Sequence, residues 1–466
     1  MEKKSAWKKY NETEQKALDS VCEGYKKYLD GGKTERESAA EGVALAEAAG
    51  YTDLAAFVKS GRKMTPGTKL YSVCMNKMLC LFQIGEEPLT NGMNILGAHI
   101  DSPRVDVKSD PLYETDEMAY LDTHYYGGIK KYQWVSQPMS IHGVMVTKED
   151  GVKIVNIGED PEDPVFCFTD LLIHLSGAQQ EKPAAKVIPG EGLDLLVGNR
   201  PLDESRLGEA EKDAVKANVL SILKEKYGVE EADFLSAELE IVPAGKARDC
   251  GFDRSMILAY GQDDRICAFT SLLAMLDEDK PLRRTSCCLL VDKEEIGSVG
   301  ATGMTSMFFE NVVAQILSCM GEKETYLKLR ETLANSRMLS SDVSAGYDPL
   351  YADAFEKKNA ALISKGMCFN KYTGSRGKSG SNDANPEYIA HIRKVLDDAG
   401  VSYQFCELGK VDVGGGGTIA YIMAKYGMEV IDAGVAVLCM HAPYEVSSKA
   451  DIYETYKGYR AFLQNA

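Results

Sequence analysis

Apolar positions recur at helical spacing from Glu14 to Leu29, Gly31-Gly32 interrupts them, and alanine-rich periodicity resumes from Thr34 to Ala49. Helices are therefore expected across residues 12–60. The segment Tyr71 to Ile84 follows, and then Asn94-Ile-Leu-Gly-Ala-His-Ile-Asp101, a short apolar strand ending in charged chemistry. Between Pro103 and Ala247 the pattern shortens to alternating segments such as Ile141-His-Gly-Val-Met-Val146 and Gly151-Val-Lys-Ile-Val-Asn156. Turn signals and the pair Gly127-Gly128 separate them, and a polar helical stretch runs from Glu204 to Tyr227. From Arg254 onward strand and helix alternate again. Helices are expected over Asp264 to Leu276, Tyr326 to Asn335, Asn385 to Ala399, Thr418 to Tyr426 and Tyr453 to Leu463, with strands over Thr285 to Val291, Met338 to Ser341 and Gly434 to Met440. The expected fold class is α/β: a domain with a mostly parallel sheet flanked by helices, interrupted by a β-rich insertion.

At 466 residues the chain is too long for one ordinary core. Two domains are expected, a discontinuous one of residues 1–103 plus 248–466 and an inserted one of residues 104–247. Hydrophobic residues make up 44% and charged residues 26%, as in an ordinary globular protein. Acidic residues outnumber basic ones, 70 to 53, for a net charge of -17, which argues against nucleic acid or an anionic membrane as partner. The basic N-terminus has no apolar core and does not read as a secretory signal, and no stretch approaches the ~20 apolar residues of a membrane span. The twelve cysteines are scattered, several inside apolar runs, with no C-x-x-C pair. Reduced thiols explain them best, so a cytoplasmic protein is expected.

The chemistry concentrates at the ends of apolar strands and the starts of helices. Asp292-Lys-Glu294-Glu295-Ile-Gly follows one such run. Neighbouring side chains on a strand point to opposite faces, but where the backbone turns both can reach one pocket. One carboxylate could then hold a metal while the other handles a proton, although an acidic surface turn has the same composition. Gly97-Ala-His99-Ile-Asp101-Ser-Pro, Gly261-Gln-Asp263-Asp264-Arg265, Ser340-Ser-Asp342-Val-Ser and Leu438-Cys-Met-His441-Ala-Pro have the same placement. Open α/β sheets bind ligands beyond the carboxyl ends of their strands. Two imidazoles and several carboxylates converging there match a pair of divalent ions bridged by a carboxylate.

On these five segments the sequence resembles the aspartyl aminopeptidase family of dizinc exopeptidases, in its bacterial form, over nearly the whole chain. The resemblance implies two divalent ions per subunit, zinc by default, with His99 on one and His441 on the other. Asp263 would bridge them, and Glu295 and Asp342 would each complete one shell. Asp101 would orient the His99 imidazole, and Glu294 would be the general base. Asp263 is preferred to Asp264 because the family's bridging aspartate is followed by Asp or Asn, with Phe six residues on, as Phe269 is here. Cobalt or manganese also suits this thiolate-free ligand set. The implied reaction is release of the N-terminal amino acid from short peptides with a free N-terminus. Relatives form dodecamers built from dimers, so a homo-oligomer of that size is expected, with the insertion as dimerisation domain.

Other residues carry weaker signals. His174, in Leu-Leu-Ile-His174-Leu-Ser, reads either as a buried structural histidine or, by the resemblance, as a catalytic residue reaching a neighbouring subunit's site. His124, His142 and His391 read as structural or surface residues. Gly377-Lys378-Ser379 suggests a phosphate loop, but the motif needs glycine where Tyr372 stands. Lys371, Arg376 or Lys378 would instead line the pocket for the substrate's first side chain. Gly415, in the run Gly414–Gly417 before Thr418, would offer backbone amides to the substrate. The Val343–Pro349 loop and the Lys371–Gly380 loop depart from animal relatives where side-chain preference is set, which separates the peptidase expectation from the acidic preference in the family's name. The rival expectations are a metal hydrolase acting on another amide bond, such as an acyl-amino-acid deacylase, and a non-catalytic assembly scaffold.

Overall fold

The computed structural model describes residues 3–149, 151–203 and 213–466. They divide into two compact units, one formed by the chain through Ser102 with Ala247–Met440 and Glu445–Ala466, the other by Pro103–Lys246 with His441–Tyr444.

The first unit is built on a nine-stranded sheet. Its order is Thr52–Asp53, Lys69–Cys74, Met78–Gln83, Thr285–Val291, Met93–His99, Arg337–Ser340, Glu429–Gly434, Met367–Asn370, Tyr403–Cys406. The four strands from Thr285–Val291 to Glu429–Gly434 are mutually parallel. Met93–His99 and Thr285–Val291 are buried at every position, which is why they read as continuous apolar runs rather than alternating ones. Alternate side chains serve opposite cores. Leu96, Ala98, Cys288 and Leu290 pack towards the Gln262–Leu276 and Lys449–Asn465 helices. Ile95, Cys287, Leu289 and Val291 pack towards Phe308–Cys319. The adjacent thiols Cys287 and Cys288 are thus core residues of different layers, and all described cysteines are free.

Local signals set the helix starts. Asn11 caps Glu12–Gly31 and Thr34 caps Glu35–Ala48, each paired with a glutamate at the third position in a capping box, a device worth about 1 kcal/mol per helix. Two expectations need revision. The stretch expected as one strand from Gly434 is two: Glu429–Gly434 belongs to the large sheet, and Ala436–Leu438 to a five-stranded sheet with Ser344–Ala345, Glu445–Ser448, Met256–Ala259 and Arg248–Cys250. The helix expected over Thr418 to Tyr426 contracts to Ala420–Ala424, because the chain turns at Gly427, whose φ is +85°.

The second unit is a seven-stranded, wholly antiparallel sheet in the order Gly151–Ile157, Met139–Thr147, Ala237–Pro243, Arg104–Thr115, Met118–Tyr126, Leu195–Gly198, Cys167–Phe168. Of the helix expected from Glu204 to Tyr227, residues 204–212 lie outside the described residues. The remainder forms a helix at Ala214–Ile222 and a wider π turn at Leu223–Tyr227.

Candidate metal centre

Three parallel strands deliver five of the candidate residues to one edge of the large sheet. Val291 is the register partner of His99, and Ser340 that of Gly97. The residues just past each strand, Glu294 and Glu295, Asp101, and Asp342, must therefore emerge side by side. The remaining aspartates come from the start of the Gln262–Leu276 helix, where Asp263 and Asp264 leave helical geometry and are joined by a cis peptide. Gly261 leads in at φ +70°, and a Cβ there would lie 1.9 Å from Arg265 Nη1. Gly434 makes the other close approach: a Cβ would lie 2.0 Å from the Asp342 carbonyl oxygen and 2.8 Å from Cys267 Sγ. Both glycines are needed for the aspartates to sit where they do.

His99 is the hub. Its Nε2 lies 3.3 Å from Asp263 Oδ1 and 4.0 Å from Glu294 Oε2. Its Nδ1 lies 3.0 Å from the Asp101 carbonyl oxygen and 3.2 Å from Asp101 Oδ1. The same Asp101 carboxylate accepts the backbone N–H groups of Glu294 at 3.1 Å and Glu295 at 3.2 Å. One buried side chain thereby positions both the imidazole and the glutamate turn. Ser102 Oγ donates to the Asp263 carbonyl at 2.6 Å and receives Arg265 Nη1 at 3.0 Å. Glu445, which carries no sequence signal of a role, accepts the Asp263 N–H at 3.0 Å.

Two ligand groupings share His99. Donor atoms of His99, Asp263 and Glu295 lie within 4.8 Å of one another, as do those of His99, Asp264 and Asp342. Asp264, disfavoured as a ligand from sequence, thus stands with His99 and Asp342, while Asp263 stands with Glu295. Burial opposes the charged His99, but Asp101 and Asp263 overcome it and hold its pKa well above the usual histidine value. Burial pushes the Asp264 carboxyl far up despite His99, and burial together with Asp264 does the same to Asp342. Among the described residues neither Asp264 nor Asp342 has a lysine or arginine within ion-pair distance. Several carboxylates gathered round one imidazole, two of them buried with no lysine or arginine beside them, are a donor set that fits divalent ions.

The other sequence candidates fall outside these two groupings. His441 belongs to the second unit, at φ +64°, with Nδ1 2.8 Å from the Gly128 carbonyl oxygen. His174 sits in the turn Ile173–Leu175, in an exposed apolar run where Ile173 is 68% and Leu175 67% accessible, so it is not a buried core histidine. Arg376 and Gly415 share a cleft of about 470 Å³ with Ser375, Gly377, Ser379, Asp412, Val413 and Gly414. The pairing of Gly374–Ser375 with Gly415–Gly416 holds its two loops together. Lys371 and Lys378 are exposed on the first of these loops, with Lys378 Nζ 3.7 Å from the centre of the Tyr372 ring.

An imidazole ringed by carboxylates at the strand exits of an α/β sheet defines a metal-dependent hydrolase. Residues 28–463 match the family described as Aminopeptidase I zinc metalloprotease (M18), and the chain belongs to this family of zinc metallo-aminopeptidases. It is 57% identical to a probable M18 family aminopeptidase 1 of Clostridium acetobutylicum over 464 residues, spanning 100% of this chain and 98% of that one. A crystal structure of an M18 aminopeptidase from Thermotoga maritima superposes with a TM-score of 0.94 at 42% identity, each chain covered completely. A structure of the S. cerevisiae mApe1 dodecamer shares the fold at a TM-score of 0.74 and 19% identity, covering 96% of this chain and 97% of that one.

Proposed function

We propose that this aminopeptidase removes the N-terminal residue from short peptides by a two-ion mechanism with Glu294 as general base. The observation that carries the reading is His99 Nε2, which faces Asp263 at 3.3 Å and Glu294 at 4.0 Å. A ligand and a proton acceptor thus border the same small space. His99, Asp263, Glu295 and Asp342 would hold the ions together with His441, with Asp264 a further candidate beside Asp342. Two zinc-class ions bound there supply Lewis acidity that polarises the scissile carbonyl and lowers the pKa of the attacking water towards ~7.

The chain's own residues do the rest. Glu294 accepts the proton from the attacking water and returns it to the leaving amine. Asp101 fixes the orientation of His99 and, through the two backbone N–H groups it accepts, that of Glu294. Acidic residues beside the ions would hold the substrate's α-ammonium group, limiting cleavage to the first residue. Lys371, Arg376 and Lys378 would line a pocket for the first side chain and the Gly415 amide would offer a main-chain contact, which would favour an acidic first residue. The relative described as a dodecamer and the exposed Leu171–Leu175 run support an oligomer in which His174 serves a neighbouring subunit and residues 104–247 form the dimerisation domain. No helix among the described residues is long and apolar enough to cross a membrane.

The test is a panel of peptides differing only in the first residue (Asp, Glu, Lys, Leu) with an N-acetylated control, run on wild type and Glu294→Gln at matched metal content. Cleavage restricted to free-amine peptides, with kcat lowered about 10²–10⁴-fold in Glu294→Gln, is expected from loss of the base. Cleavage of the acetylated control, or equal rates in the variant, would overturn the reading, and the ranking of first residues decides the acidic preference.

A further inference from the structure

A group of cations in the first unit gathers at the edge of the sheet opposite the carboxylates. Arg283 and Arg284 precede Thr285–Val291, and Arg337 opens Arg337–Ser340. Both strands run parallel to Met93–His99, so their amino ends share one edge. His391 and Lys394 of the Pro386–Asp398 helix join them. Arg337 Nη1 lies 3.3 Å from His391 Nε2. An arginine can only donate, so this nitrogen accepts and the ring is neutral. Arg284, only 7% exposed, donates from Nη2 to the carbonyls of Asn91 and Asn335.

Among the described residues neither Arg284 nor Arg337 has a carboxylate within ion-pair distance. The nearby acids are engaged elsewhere. Glu87 pairs with Arg283 at 3.2 Å, and Asp398 pairs with Lys394. Glu429, the register partner of Arg337, takes both its hydrogen bonds from the Asn385 amide at 3.1 Å. Tyr388, also beside the arginines, donates to the Met338 carbonyl at 3.0 Å. Two guanidinium groups with no carboxylate in ion-pair contact, one of them buried with only Glu87 acting on it from further off, leave positive charge that an anion from outside the chain would balance.

We propose that Arg283, Arg337 and His391, with the charge of Arg284 behind them, bind a small divalent oxyanion of the phosphate class. Guanidinium groups match tetrahedral oxyanions with paired, charge-assisted hydrogen bonds. The net charge of -17 opposes anions at long range, but salt screens that field beyond ~10 Å and the local cations dominate at contact. Burial lowers the pKa of His391, and Arg337, Arg284, Arg283 and Lys394 lower it further. A bound dianion reverses that repulsion, so binding takes up a proton on His391 and strengthens as pH falls.

Calorimetry on the metal-loaded full chain, titrated with inorganic phosphate, sulfate or chloride at matched ionic strength, tests this. Phosphate and sulfate are expected to bind and chloride not to. Sulfate, which does not itself titrate in this range, should bind more tightly at mildly acidic than at mildly alkaline pH. Arg337→Gln should weaken sulfate about tenfold, the value of one charge-assisted pair. His391→Gln should keep sulfate binding but lose its pH dependence. Unchanged peptide hydrolysis shows that each variant is folded, and His391→Gln remains decisive if Arg337→Gln does not fold. Chloride matching sulfate, pH-independent sulfate binding by wild type, or sulfate binding that survives Arg337→Gln but disappears on chelation would each overturn the proposal.

Discussion

The two edges of the large sheet carry opposite charge on the same strands. Thr285–Val291 has Arg284 before it and Glu294-Glu295 just after it, and Arg337–Ser340 starts at Arg337 and leads into Asp342. A seven-residue strand separates the edges by about 20 Å. At that distance, opposite unit charges attract by under ~1 kcal/mol at an effective dielectric near 20. The clusters therefore cannot neutralise each other, and within each the like charges repel at contact range. Ligands from solution would offset each cluster: metal at the carboxyl end, where the chemistry is, and, if the proposed binding holds, an oxyanion at the amino end.

The strongest way to break the comparison is to remove the metal. Chelation is expected to lower the unfolding free energy by about 3–4 kcal/mol relative to protein near ion saturation, read by urea denaturation. Asp264→Asn and Asp342→Asn should each erase most of that increment, whereas Arg337→Gln should leave it intact. A chelated protein as stable as the loaded one would mean that the carboxylates are balanced internally.

Asp432 sharpens the contrast, because it is a buried acid beside neither ions nor arginines. It lies on Glu429–Gly434 opposite Ser340, accepts Thr418 Oγ1, and burial outweighs that bond to raise its pKa to about 7. The unfolded carboxyl titrates near ~3.9. Between those values the folded state holds the proton and the unfolded state does not, so stability falls as pH rises through the window. Asp432→Asn should flatten that fall, measured as unfolding free energy against pH. An unchanged slope would place the titration in another group.

The smallest effects separate the arginines. Arg284→Ala leaves the Asn91 and Asn335 carbonyls without their donor and is expected to cost about 2 kcal/mol. Arg283→Gln removes a side chain that is 68% exposed and paired with Glu87, and should shift stability by less than ~0.5 kcal/mol. Equal costs at the two positions would show that burial does not distinguish them.

Much of the first unit was legible in the chain. Thr285–Val291 has the bounds its apolar run predicts, and the Asn94 to Asp101 segment is the strand Met93–His99, because parallel strands buried on both faces must be continuously apolar. The helices capped by Asn11 and Thr34 start where short polar side chains satisfy the first N–H groups. The strands Met367–Asn370 and Tyr403–Cys406 were not legible. Each is four residues long, and so short a segment acquires its state from the neighbours it pairs with.

The candidate site divides along the same line. Sequence alone determined which residues could bear the chemistry, since His99, the Asp263-Asp264 and Glu294-Glu295 doublets and Asp342 each end an apolar run or open a helix. The preference for Asp263 over Asp264 came from the family resemblance and not from the residue pattern, because both aspartates follow the same glycine turn at Gly261. Nor did the sequence expose the cationic cluster. Arg283, Arg284, Arg337 and His391 come from three separate stretches of chain, and His391 reads in isolation as an ordinary surface histidine. The parallel register of the strands put the arginines on one edge, and the packing of the Pro386–Asp398 helix brought His391 beside them.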